Sequence, residues 1–488
     1  MTDQPLLDTL RGPAESRPSA LASPTLPLPP PLEFTRGERI ERRVPLEAET
    51  PITMHVPPRA VCQLYHPDNP DQRLQLDADD RGIVRIHATA KVGAPPIELL
   101  LEYQDDNGQG WRQAVTVSAE VRYTPEMSTP ELLDVPLVAG SVRPPLEGDL
   151  ATPSTAELVA RGYPPRPDAA KAPARYAQWL RTVTRPSTVV SPRTVAHPEL
   201  SHSPDSIGKD MADALTGRGQ PGSEANANFT TWCGAYVTKP TGQFYNMSAS
   251  WTVPASVPTG QQLAAVVEWI GLDNFAGDLY QAGTGALCIE FFGFWQFTSY
   301  FMWMESLPWS WWVVPNFPVS PGDTVTVDIW VADQYGTTEF KDPTEGNDGL
   351  TRADNSVWFY LTSSNGASFM GTYPTAPESL GGLQSTGFSG RMAEFIIERP
   401  LINGASTPLA FFGPTIMRAC SYGDALYGDW EMFFLLPDNG SQPFDGNLQY
   451  LNMVDPANNH TLAVPFVVPD PAENPSANMI LFAWLNSL

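Results

Sequence analysis

An all-β protein is predicted by three features of this 488-residue sequence. It contains 51 Pro and 37 Gly, it repeats short β-branched and aromatic runs with period-two alternation, and it has only one stretch of helical character. Punctuation that dense breaks long helices and favours short strands joined by turns. The expected architecture is a small immunoglobulin-like β-sandwich, an irregular segment, and a large antiparallel β-sandwich.

The elements follow in chain order. Residues 1–33 carry eight Pro and lack both a charged n-region and an apolar h-region, so they read as a disordered leader with no visible secretory signal. Residues 34–124 hold strand candidates at 52–56, 60–66, 72–77, 82–87, 96–103 and 111–119, with turn clusters such as Asp105-Asp106-Asn107-Gly108 between them. Residues 125–225 are irregular linker or pro-segment, with one predicted helix from about Ala169 to Thr182. From 226 to 488 strands are predicted at 246–252, 264–272, 286–293, 324–331, 356–362, 392–398, 409–417, 431–436 and 462–467, and no 20- to 50-residue repeat points to a propeller.

Charge separates the halves. The chain has 29 Lys+Arg against 54 Asp+Glu, a net of −25. Residues 226–488 hold six basic and 24 acidic residues, a net of −18, leaving −7 for residues 1–225. Nucleic-acid binding is disfavoured, because phosphate neutralisation needs clustered cations. No run of 18 apolar residues suggests a membrane span. The C-terminal part has 12 of the 14 Trp but one His, His460, which disfavours a Ser-His-Asp triad or a His-built zinc site there. Four scattered Cys give no disulfide framework. Arg161, Arg166, Lys171, Arg175, Arg181, Arg185 and Arg193 make residues 161–193 basic. That run reads either as a solvated helix face and linker or as an electrostatic clamp over an acidic cleft that loosens in acid.

Two segments carry candidate chemistry. In Met392–Arg399, alternation puts Glu394, Ile396 and Glu398 on one strand face and Phe395 and Ile397 on the other. The two carboxylates then stand about 13 Å apart, too far to share a proton. A solvated polar face would read the same way. The second segment, Val267 to Asp273 followed by Leu279 to Gly285, suits a hairpin bringing Trp269 near Gln281; core Trp and turn Gln are its bland reading.

Together with four further segments these motifs fall in an order that resembles the glutamic peptidases, the eqolisin family. Thr231-Trp232-Cys233-Gly234-Ala235 is similar to the family's opening motif and Ser250-Trp251-Thr252-Val253-Pro254 to its W-x-V-P strand. Trp269-Ile270-Gly271-Leu272-Asp273, Gln281-Ala282-Gly283, Ser320-Pro321-Gly322-Asp323 and Ala393-Glu394-Phe395-Ile396-Ile397-Glu398 follow in the family's order, and Pro408–Gly413 continues it. The resemblance implies a concanavalin-like jelly-roll sandwich and an acid-acting, pepstatin-insensitive endopeptidase without metal or other cofactor. It implies Gln281 and Glu398 as the catalytic pair, Glu394 as a supporting carboxylate, and Trp269, Asp273, Trp303 and Glu305 as substrate-binding residues. A Glu general base around or above mildly acid pH, and a carboxamide donor for the tetrahedral oxyanion, suit amide hydrolysis.

Two departures accompany the resemblance. Met302 stands where the family usually has a Glu, with Glu305 as a nearby substitute, and Arg399 follows Glu398 where the family usually has an acid. Protein or peptide substrates, a monomer, and an extracellular or acidic compartment are expected. The rivals are a non-catalytic lectin-like or peptide-binding sandwich and a carboxylate-pair glycosidase, the latter ill-suited to a 394/398 pair about 13 Å apart.

Overall fold

The computed structural model describes residues 34–120, 140–201, 225–331, 356–374, 390–423, 430–432, 447–469 and 478–485, with short gaps inside these ranges. The leader at 1–33 lies outside the described residues. Nearly every described element is a strand, and the one long helix is Pro173–Val183. Its predicted start at 169 moves to Pro173, where a residue lacking an N–H costs the first turn nothing.

The C-terminal module is a sandwich of two large sheets. The front sheet runs, neighbour to neighbour, through Asn447–Val454, Trp232–Thr238, Met392–Glu398, Ala264–Asp273, Leu279–Phe291 and Trp295–Ser306, all antiparallel. The back sheet runs through Thr461–Pro469, Asn478–Trp484, Thr415–Gly423, Asn246–Thr252, Thr324–Val331, Ser356–Ser363 and Ala367–Pro374. Strands predicted at 246–252, 324–331 and 392–398 occupy those residues. Residues 279–285 and 286–293 are not two elements but one 13-residue strand, Leu279–Phe291. The aromatic stretch after it is also a strand, Trp295–Ser306.

Alternation builds the core between the sheets. Ala235, Val237, Ile270, Leu272, Ala282, Met302, Phe395 and Ile397 face Val325, Val327, Ile329, Phe359 and Leu361, all fully buried. Each large apolar side chain so placed stabilises the sandwich by about 1.5–3 kcal/mol. The other face of the front sheet therefore carries the odd-numbered side chains of Leu279–Phe291 and Trp295–Ser306 and the even-numbered ones of Met392–Glu398.

The N-terminal sandwich covers part of that second face. One layer comprises Ile40–Pro45, Gly110–Glu120, Ile97–Gln104, Val61–His66 and Asn69–Asp77. The other is the antiparallel pair Thr50–His55 and Ile83–Ala90. Ile83–Ala90 also pairs with the C-terminal module, Ala90 opposite Trp295 and His87 opposite Thr298, so the two units share hydrogen-bonded sheet. Their apolar residues form one continuous cluster that includes Leu74, Leu99, Ile289, Phe297, Trp303 and Trp269.

The basic run lies elsewhere. Arg175 is fully buried against Asp328 of the back sheet, and Gln178 Nε2 donates to Thr326 Oγ1 at 3.0 Å. Thr326 and Asp328 alternate with core-facing Val325, Val327 and Ile329, so the helix docks on the outer face of the back sheet. A clamp by this helix over the Gln281 face is thereby corrected: the sandwich core stands between them. All four Cys are buried and free, and burial holds the Cys288 thiol up at about 12. Among the described residues no helix is long and apolar enough to cross a membrane.

Candidate active site

Cross-strand register places the predicted site residues on the outer face of the front sheet. One row runs Tyr236, Glu394, Gly271, Gln281, Glu305. The next runs Gly234, Ile396, Trp269, Gly283, Trp303, and the third Trp232, Glu398, Val267, Gly285, Phe301. Directly paired residues share a face, so Gln281, Glu305, Glu394, Glu398, Trp269 and Trp303 all project to one side. Gln281 and Glu398 lie two strands apart and four residues along, roughly 16 Å between Cα atoms from standard sheet spacings. Two long side chains must lean toward each other to share one solvent molecule.

Glycines keep the floor between them low. A Cβ at Gly283 would lie 1.8 Å from the Glu268 carbonyl oxygen and 2.8 Å from the Trp269 Cα. One at Gly271 would meet the Trp269 ring at 2.9 Å and the Gln281 Cβ at 3.3 Å. Gly283→Ala is expected to push the Trp269 and Gln281 strands apart and cost about 1–3 kcal/mol, as overpacked sites do. Denaturant midpoints of the two proteins check it, and equal midpoints would contradict the close approach.

The hydrogen bonds orient each group. Trp269 Nε1–H donates to Glu398 Oε2 at 2.9 Å, and the Trp232 ring packs edge-on against Trp269 with centroids 5.2 Å apart. Gln281 Nε2 donates to Glu305 Oε2 at 2.5 Å. Trp303 stacks on Trp311 at 3.9 Å between centroids and donates from Nε1 to the Thr284 carbonyl at 3.1 Å. Asp273 ends the Trp269 strand opposite Leu279 and Met392, and its side chain lies outside the described residues. Among the described residues no cluster of three or more His, Cys, Asp or Glu is arranged to hold a metal ion.

Glu305 is no stand-in for a carboxylate at 302. Met302 faces the interior of the sandwich, whereas Glu305, three positions on, faces Gln281. Arg399 lies just beyond the strand end, and its Nε donates to the Thr230 carbonyl at 2.8 Å.

Sequence reasoning passed over two groups. Glu268 sits in the same cross-strand row as Thr284 and Met302, inside the sandwich, and accepts from Thr284 Oγ1 at 2.7 Å. Thr284 Oγ1 in turn accepts from Trp251 Nε1 at 2.9 Å. Burial pushes the Glu268 carboxyl up to about 7. The signal was available: Glu268 alternates with Trp269, so a site-facing Trp sends this Glu to the core. The second group is His197. Gln75 Nε2 lies 3.1 Å from its Nδ1 and Asp77 Oδ2 2.9 Å from its Nε2, tying Val195–His197 to the N-terminal sandwich.

Two short strands, Val195–His197 and Leu200–Ser201, make up a strap. Val195–His197 pairs with Trp311–Val313 at the edge beyond Trp303. Leu200–Ser201 pairs with Leu401–Ile402, just after Glu398. With the N-terminal sandwich also in place, Gln281, Glu394, Glu398 and Trp269 are wholly inaccessible and Glu305 is 3% exposed. A residual cavity of about 60 Å³ remains beside the strap, lined by Gln75, Asp77, Arg85, His197, Leu200 and Phe301 among others.

Scytalido-glutamic peptidase, solved with a transition-state analogue inhibitor, is similar at 18% identity over 52% of this chain and 98% of that one, with a TM-score of 0.36. SCP-B, a member of the eqolisin family solved with the tripeptide Ala-Ile-His, matches at 18% identity over the same shares, TM-score 0.33. Aspergilloglutamic peptidase from Aspergillus niger matches at 15% identity over 46% of this chain and 99% of that one, TM-score 0.30. No curated protein matches the chain. Residues 230–426, the stretch that holds every motif of the site, match the model of the Peptidase A4 family.

Proposed function

We propose that the C-terminal module is an acid-acting endopeptidase in which Glu398 and Gln281 act on one water. The observation that carries this reading is their common placement, with aromatic walls and a glycine floor, on one face of the segment that matches the family. Ionised Glu398, oriented by Trp269, takes a proton from the water as it attacks the scissile carbonyl. The Gln281 amide N–H donates to the developing oxyanion while its carbonyl holds the water. Protonated Glu398 then delivers its proton to the leaving nitrogen. Glu305 holds the Gln281 amide with its nitrogen in a fixed direction. Trp269, Trp303 and Asp273 are assigned to an extended peptide, and Glu394 to support. The protein is proposed to act as a monomer in an extracellular or acidic compartment.

A second assignment of the base has one observation in its favour. Glu394 shares the cross-strand row of Gln281 with only Gly271 between them, so its carboxyl has the shorter path. Hydrolysis of a denatured protein at about pH 4, in the ordinary carboxyl range, tests both assignments. Pepstatin should leave it unaffected, and a module that binds the peptide without cleaving it would overturn the enzymatic reading.

The full chain is proposed to be latent, because strap and N-terminal sandwich close the site. His197→Ala removes the imidazole that joins the strap to Gln75 and Asp77. It is expected to raise peptide hydrolysis at about pH 6 by about tenfold, since two partly buried hydrogen bonds are lost. Unchanged hydrolysis would count against the strap as the closing element.

A further inference from the structure

Far from the Gln281 face, on the outer side of the back sheet, lie two arginines without a carboxylate partner. Arg143 is 8% exposed, yet among the described residues neither it nor Arg161 forms an ion pair. Arg143 Nη1 donates to the Gly162 carbonyl, and its Nη2 donates to Ser187 Oγ at 2.8 Å and Tyr360 Oη at 2.5 Å. Its Nε has no acceptor. The Arg143 guanidinium lies 4.5 Å from the Tyr163 ring centroid, and that of Arg161 5.7 Å from the same centroid. Two positive charges thus crowd one aromatic ring.

Nearby acids are committed elsewhere. Asp328, which adds to the burial that raises the Tyr360 hydroxyl, is bonded to Arg175. Glu157 is close enough to feel Arg161 but accepts from the Ser154 N–H and hydroxyl. Taking a guanidinium out of water without a counter-ion is costly, and neutral acceptors with cation–π contact offset only part of that cost. Between the two arginines opens a cavity of about 340 Å³, lined also by Ser141, Gly162, Tyr360 and Ser368.

We propose that this cavity is a phosphate site, taking a tetrahedral oxyanion either as inorganic phosphate or as the phosphoryl end of a small ester. Arg161 and the open Nε–H of Arg143 supply charge-assisted donors for such oxygens, and Ser141 and Tyr360 add hydroxyls on the cavity wall. The cavity is larger than a bare anion needs, which leaves room for an ester's organic part. Bound phosphate would tie Ser141–Arg143, and through it Ser187–Val189, to the Ala367–Pro374 edge of the back sheet. Nothing in this site depends on the peptidase reading.

The test is calorimetric titration of the full chain with inorganic phosphate, with glycerol phosphate, and with chloride at matched ionic strength. Saturable binding of phosphate or the ester, absent with chloride, is expected with a Kd of about 1 mM. Tighter binding of the ester identifies an ester site, and equal binding identifies free phosphate. Arg161→Gln, at an exposed position, should weaken binding about tenfold without altering the fold, because one charge-assisted partner is lost. Heat that tracks ionic strength alike for all three solutes, or unchanged affinity in Arg161→Gln, would overturn the proposal.

Discussion

Glu398→Gln is expected to lower kcat on a denatured-protein substrate at about pH 4 by about 10²–10⁴-fold, the range for loss of a general acid–base. Gln281→Ala should lower it by about 10²–10³-fold, the cost of one oxyanion donor. Both changes are nearly isosteric or truncating at buried positions, so circular dichroism and melting must accompany the kinetics. Trp269→Phe keeps a ring over Gly271 but removes the Nε1–H that orients Glu398. Its loss should be about tenfold, that of one charge-assisted hydrogen bond. If Glu394→Gln abolishes turnover while Glu398→Gln retains most of it, the base is the row-mate of Gln281. If all four variants turn over like the parent, the constellation is not catalytic.

The face that Glu394 and Glu398 share was legible in sequence because strand alternation is strict where both faces are committed. Glu394 and Glu398 were placed on one face from period two alone, and three strand boundaries in the C-terminal module needed no correction. What period two cannot give is the partner strand. That Gly271, not another residue, separates Glu394 from Gln281 depends on a pairing across more than 120 residues of chain. Mixed runs also hide alternation: Trp295–Ser306 carries large aromatic or Met side chains on both faces because both are covered, so it read as an aromatic stretch. The strap was illegible for a related reason. Val195–His197 is three residues long and gains its order from Trp311–Val313 and from His197 between Gln75 and Asp77, none of them local. The basic run misled because seven cations next to an acidic module do not say which of its two sheets they face.

The second large effect is expected to be a stability that falls as pH rises through the weakly acid range, centred on Glu268. Its carboxyl, pushed up by burial from 4.5 to about 7, keeps its proton in the folded protein while the unfolded chain gives it up. The folded state then binds more protons between about 4.5 and 7, so this group's favourable contribution is complete below that window and lost across it. Two and a half units at 1.36 kcal/mol each make the loss at neutral pH about 3 kcal/mol. Burial also raises Asp323 and Asp328, in the same direction. At Asp79 and Glu102 of the N-terminal sandwich the sign reverses, although burial raises Glu49 in the same unit. Burial pushes Asp79 and Glu102 up, but the backbone N–H groups of Ile83 and Arg81 and the Arg81 guanidinium bring Asp79 below its ordinary value. Tyr65, Arg73 and Arg112 do the same for Glu102. Their contribution is present above the unfolded carboxyl range and disappears as pH falls through their lowered values. Acidification therefore weakens the unit that covers Gln281 and Glu398 while strengthening the unit that contains them. Thermal melts of the full chain should resolve two transitions whose midpoints move in opposite directions with pH. Glu268→Gln, which keeps a neutral acceptor for Thr284, should raise the C-terminal transition at neutral pH by about 3 kcal/mol and leave it unmoved below about pH 4.5. A single transition whose pH dependence survives that substitution would show that Glu268 is not the group responsible.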